Sequence, residues 1–95
     1  MAWCYILFSH KLNKYYVGAT QESVSGRLLK HNNAAYSNTY TAIANDWVLF
    51  FEIECASMKQ AMAIEKHIKR LKSTTYYRNL KQFLEIAHKL LKKYN

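Results

Sequence analysis

Two short runs near the start of the chain constrain its fold more than anything after them. Trp3 to Ser9 (Trp-Cys-Tyr-Ile-Leu-Phe-Ser) and Lys14 to Ala19 (Lys-Tyr-Tyr-Val-Gly-Ala) are rich in aromatic and apolar residues, and a short polar stretch through Asn13 separates them. Such residues suit a pleated, half-buried surface, so the pair reads as a β-hairpin. Pairing Phe8 with Asn13 across a four-residue connection sets Tyr5 opposite Tyr16 and Gly18 opposite Trp3, all on one face. A glycine inside a strand weakens it unless something must approach the backbone closely. Two phenols beside a bare patch mark a candidate site.

The residues after the hairpin predict helices. Thr20, Glu22 and Ser23 offer N-cap groups and an acid near a first turn, and a helix through about Asn33 fits. Val24, Arg27, Leu28 and His31 fall on one of its faces, so Arg27 and His31 project side by side. Read alone, Arg27 is a solvated helix charge and His31 a partly buried imidazole; beside a Tyr/Tyr/Gly face they read as a phosphate-facing pair. Asn33 to Asp46 has no clean period and reads as a loop, in which Tyr36, Asn38 and Tyr40 suit either ordinary packing or contact with a nucleic acid. Trp47 to Phe51, shading into Glu52-Ile53-Glu54-Cys55, reads as a strand buried on both faces that completes a three-stranded sheet.

Ser57 with Gln60 three residues later is a capping-box pattern opening the next helix. Met58, Ala61, Met62, Glu65, Ile68 and Leu71 then recur at steps of three and four, which puts Glu65 inside an apolar stripe. A carboxylate there needs a partner. Spacing leaves two open, a salt bridge to an arginine such as Arg27 or a bound metal ion. From Ser73 onward Tyr77, Leu80, Leu84, Ala87, Leu91 and Tyr94 predict one packing helix over about 74–94. The whole is an α+β domain, a small three-stranded antiparallel sheet flanked by helices in the order β-β-α-β-α-α.

Composition narrows the function. Ninety-five residues make a single domain, 1–95, with no room for a second module. No apolar run approaches a membrane span, and no cationic stretch precedes an apolar one, so a cytoplasmic protein is expected. Cys4 and Cys55 lie far apart, form no ligand-like cluster and read as reduced core thiols. Fourteen Lys and Arg against six Asp and Glu, a formal +8, favour a polyanionic partner, although basic charge also serves plain solubility.

Cys4-Tyr5-Ile6 and Tyr16-Val17-Gly18, with ten residues between the tyrosines, resemble the paired signature of the GIY-YIG nuclease family. Cys4 stands where that family usually has glycine, and Val17 replaces isoleucine. The likeness extends through Lys14-Tyr15-Tyr16-Val17-Gly18-Ala19-Thr20, Arg27-Leu28 with His31-Asn32, and Ala63-Ile64-Glu65-Lys66 with Ile68-Lys69. Over most of residues 3 to 72 the chain is similar to small stand-alone bacterial members of the UvrC-like branch. The resemblance implies the same order of elements and a divalent-metal-dependent endonuclease, with DNA as the expected substrate and DNA repair as the setting. It assigns Tyr5, Tyr16, Arg27, His31 and Glu65 to catalysis, Glu65 also to Mg²⁺ (or Mn²⁺), and Gly18, Lys14 and Lys69 to the substrate. A catalytically inactive nucleic-acid-binding protein of the same fold is the alternative. A purely structural protein leaves Glu65 and the tyrosine pair unexplained.

Overall fold

Asn13 decides the register of the hairpin. In the computed structural model, which describes residues 1–32 and 44–95, Asn13 has φ 53, a left-handed conformation that asparagine tolerates better than most residues. It therefore belongs to the turn and does not pair. Strand β1 (Ala2–Ser9) and strand β2 (Lys14–Thr20) run antiparallel from Ser9↔Lys14, with Leu7↔Tyr16, Tyr5↔Gly18 and Trp3↔Thr20. The expected pairing of Tyr5 with Tyr16 is displaced by two residues. Because side chains alternate with period two, Tyr5, Tyr16 and Gly18 keep a common face, but Tyr5 now stands directly across from the glycine. Asp46 ties the turn from outside: its carboxylate accepts from Ser9 Oγ at 2.6 Å and from the Lys11 backbone N–H at 2.8 Å.

Strand β3 (Trp47–Cys55) joins the other side of β1, giving the antiparallel order β2-β1-β3. The ladder is irregular in the middle. Leu7 pairs with Leu49 and Ile6 with Phe51, so Phe50 is the extra residue of a bulge. The expected burial of β3 on both faces is corrected here: Val48 is 44 % exposed and Leu49 is also open, because β3 is an edge strand.

Among the described residues one helix covers one face and three cover the other. Helix α1 (Val24–Asn32) begins where Ser23 Oγ accepts the Gly26 N–H at 3.1 Å, and packs Val24 and Leu28 against Tyr5, Leu7 and Trp47. Asn32 pins its end to β3, accepting from the Trp47 N–H at 2.7 Å and donating to its carbonyl at 2.9 Å. On the opposite face α2 (Met58–Leu71), α3 (Thr74–Gln82) and α4 (Leu84–Lys93) surround Cys4, Ile6, Val17 and Phe51. Ser57 caps α2 as expected, and Gln60 accepts from the Ala56 N–H and donates to the Leu91 carbonyl, joining α2 to α4.

Two periodicity readings shift. The buried stripe of α2 is Ala61, Ile64 and Ile68, while Met62 and Leu71 are exposed and Glu65 sits at the margin. The helix predicted over about 74–94 is two helices, broken at Phe83, whose φ −117 and ψ 96 are extended. The break lets Tyr77 and Leu80 and then Ala87 and Leu90 each face the core, and leaves Leu84 in solvent. Tyr36, Asn38 and Tyr40 lie outside the described residues.

Candidate active site

The expected bare patch at Gly18 is filled by the protein itself. A Cβ built there would lie 2.6 Å from both Cζ and the hydroxyl of Tyr5 and 3.1 Å from Cε2 of Tyr16. The glycine lets the Tyr5 ring lie on the β2 backbone. Tyr5 is 0 % exposed, and its hydroxyl meets Nε2 of His31 at 3.2 Å. The Tyr16 ring centroid stands 6.5 Å from that of Tyr5 and 5.0 Å from that of His31. Strands β1 and β2 and helix α1 thus bring three polar rings together, with Tyr16 the more open of the two phenols.

Electrostatics keep the imidazole neutral. Burial, and then the nearby positive charge of Arg27, lower the His31 pKa from 6.5 to about 4. At neutral pH the ring carries one proton and one lone pair. With the lone pair on Nε2 it accepts from Tyr5.

Arg27 stands one turn before His31 on α1, its side chain 28 % exposed, with Nη1 3.9 Å from Glu22 Oε2. Lys30 Nζ shares that carboxylate at 3.1 Å. A contact of 3.9 Å at a partly exposed position is weak. The ion pair of Glu65 is with Lys69 Nζ, at 3.5 Å. Glu65 lies on the helix layer opposite α1, yet Lys69 Nζ also stands 5.7 Å from the Tyr16 ring centroid. Lys69 therefore links the carboxylate to the tyrosine face around the edge of β2. Lys14 opens β2, exposed, two residues before Tyr16 and on its face.

Among the described residues there is no group of three or more His, Cys, Asp or Glu side chains able to cage a metal. Mg²⁺ does not require one, since it commonly takes one or two carboxylates, keeps several waters and shares substrate phosphates. The Glu65 side chain is 19 % exposed and already faces a cation, the Lys69 ammonium. The donor set fits a hard divalent ion bound jointly with a phosphate.

Cys4 turns away from all of this. Its side chain is buried with Ile6 and Cys55 under α2, neither thiol is bridged, and burial pushes its pKa up. The reading of two core thiols agrees with this placement, and the residue standing where the family pattern has glycine faces the layer opposite Tyr5. Sequence reasoning missed Glu52, which pairs with Tyr5 across β1 and β3. The signal that hides it is the bulge at Phe50, which no periodicity reveals.

Among the described residues no helix is long and apolar enough to cross a membrane. No curated protein and no solved structure matches the chain. A family model, the GIY-YIG catalytic domain, matches residues 1–79. The matched residues take in the three strands, α1 and α2. The chain belongs to the GIY-YIG family of nucleases, whose substrate is nucleic acid and whose members generally depend on a divalent metal ion.

Proposed function

We propose that this single domain is an endonuclease that hydrolyses phosphodiester bonds, with DNA as its substrate. The observation that carries the reading is the fit of Tyr5 over Gly18 with its hydroxyl on a neutral, buried His31. A binding surface needs lysines and has no use for the half-open phenol of Tyr16 set beside that pair, its ring centroid 5.0 Å from that of His31. Arg27 holds a non-bridging oxygen of the scissile phosphate as it leaves Glu22. Lys14 and Lys69 meet the flanking phosphates. Tyr16, the more open phenol, orients the attacking water, and its proton passes by way of the phenols to His31 Nε2. Glu65 would hold a divalent ion, Mg²⁺ or Mn²⁺, which would supply charge to stabilise the phosphate and the leaving oxygen.

The complete burial of Tyr5 favours a second reading. A phenol shut off from solvent does not touch water, which suits a nucleic-acid-binding protein that keeps the fold without the chemistry. Labelled branched, nicked and single-stranded DNA, incubated with Mg²⁺ and then with EDTA, separates the two. Cleavage that EDTA abolishes, and that Tyr16→Phe slows more than Tyr5→Phe does, is the expected result. Binding without cleavage of any substrate establishes the second reading.

A further inference from the structure

We propose that the cavity beside Tyr5 receives an unpaired base of the bound strand, stacked on Trp3 and read through an exocyclic amine by Glu52. The inference rests on the reading of this face as one that meets nucleic acid, and it names the kind of substrate. The cavity holds about 380 Å³ between the start of α1 and strands β1 and β3, within the range of small-molecule pockets. Trp3, Ser23, Ser25, Leu28, Leu49 and Glu52 line it. Trp3 is two residues from Tyr5 on the same strand face, and Glu52 is the cross-strand partner of Tyr5. Gly18, Tyr5 and Glu52 therefore form one row across the sheet, and the cavity opens beside that row.

The bulge puts the acid there. An even ladder continued from Leu7↔Leu49 would set Phe51 opposite Tyr5; the extra residue, Phe50, sets Glu52 there instead. Phe50 packs on the opposite layer, against Tyr15. Bulges are used in this way to re-aim a side chain beside a site. Among the described residues the Glu52 carboxylate has no ion-pair or hydrogen-bond partner. It repels phosphate, so what it takes from a nucleic acid is a hydrogen-bond donor. The amines of cytosine, adenine and guanine qualify, and guanine adds its ring N–H; thymine offers only a ring N–H set between two carbonyl oxygens, which a carboxylate repels. Trp3, with Leu28 and Leu49, supplies the apolar surface on which a base stacks. Ser23 Oγ accepts the Gly26 N–H and keeps its own proton to donate. A base in a duplex is held in its stack with its pairing edge occupied, so the cavity suits a bulged, flapped or single-stranded nucleotide.

The test uses DNA hairpins carrying one unpaired cytosine, thymine or abasic site, bound to the whole protein in EDTA at low salt. The unpaired cytosine should bind about tenfold more tightly than thymine or the abasic site, a difference of about 1.4 kcal/mol. It should also quench tryptophan emission, and Trp3→Phe should remove the quench, since Trp47 is 2 % exposed and out of reach. Glu52→Gln keeps the shape and adds a donor; because Glu52 is exposed it should fold normally, bring the cytosine-to-thymine ratio near one and leave fully paired duplex bound as before or more tightly. Equal binding of the three hairpins by the wild type, or an unchanged ratio in Glu52→Gln, overturns the proposal. Cleavage in Mg²⁺ is scored separately. Discrimination without cleavage keeps the pocket and removes the nuclease; cleavage without discrimination does the reverse.

Discussion

Replacing Gly18 by alanine tests how tightly the two tyrosines are held. A Cβ at this position would lie 2.6 Å from Cζ and the hydroxyl of Tyr5, where ordinary contact begins at 3.4 Å. The tyrosine ring must retreat by roughly 0.8 Å, the difference between those two distances. Tyr5 has no exposed surface to retreat into, and moving it stretches the 3.2 Å hydrogen bond to His31. Overpacking of this kind costs about 1–3 kcal/mol, against about 0.4–1 kcal/mol regained from the stiffer unfolded chain. The net loss is about 1–2 kcal/mol. In a domain of this size each kcal/mol lowers Tm by about 4–8 °C, so the drop should be on the order of 10 °C.

The partner of the clash is identified by a double-mutant cycle. Tyr5→Leu removes both Cζ and the hydroxyl, so Gly18→Ala in that background should cost nothing or stabilise slightly; Tyr5→Phe keeps Cζ and should fall between. A phenol displaced by about an ångström should also slow cleavage by about 10²-fold. Urea unfolding of the four proteins in the cycle measures the coupling. If Gly18→Ala is as stable as the wild type, or costs the same with and without the Tyr5 ring, then the glycine is not there to admit the tyrosine.

Three further outcomes are expected. Glu65→Gln should abolish Mg²⁺ uptake in a calorimetric titration and cleavage with it, while Tm changes little, because a partly exposed i,i+4 pair with Lys69 contributes only about 0.3–0.5 kcal/mol; a large loss of stability with metal affinity intact would remove Glu65 from the chemistry. The folded protein holds His31 at about 4 against 6.5 unfolded, so as pH falls below 6.5 the unfolded chain takes up the proton first and stability drops towards pH 4, by at most about 3 kcal/mol; urea midpoints of His31→Gln should fall less over that window, with His67, also lowered by burial, accounting for part of the remainder. Affinity for mixed-sequence duplex should decline steeply between low and physiological salt in a binding titration, and a flat response would argue against contacts to phosphate.

The parts of the fold legible in the sequence are those fixed by local chemistry. Strand composition, the Ser57–Gln60 cap and the α1 face of Val24, Leu28 and His31 depend on neighbours within a few residues, and each stands where the pattern put it. The register was not legible, because it depends on whether Asn13 turns left-handed or pairs, and either hairpin keeps the same residues on the same face. The bulge at Phe50 was hidden for a related reason: a continuous apolar run carries no alternation against which an extra residue would show. Glu65 was placed too deep because a stripe drawn through Met62 and Leu71 is rotated from the true one through Ala61, Ile64 and Ile68. Both methionine and leucine are tolerated in solvent, so hydropathy alone does not tell a buried stripe from its neighbour.

The two faces of the sheet carry different loads, and this governs where the site can lie. Under α2, α3 and α4 the core is almost wholly apolar, with Ile6, Val17, Ile64, Ile68 and Leu80 closed from water. Under α1 buried polar groups share the space with apolar ones: Tyr5 with His31, and Asn32 with the Trp47 backbone. Each is satisfied by a partner whose position the strands fix, so the face tolerates them without being the main source of stability. Substitutions under α2 should therefore act on stability alone, and those under α1 on stability and function together. Glu65 and Lys69 cross this division. They are rooted in the stabilising layer, yet Lys69 reaches Tyr16, and it can do so because, among the described residues, β2 has no strand on its outer side. Lys69 is thus the contact by which a carboxylate anchored in the stabilising layer is tied to the tyrosine face.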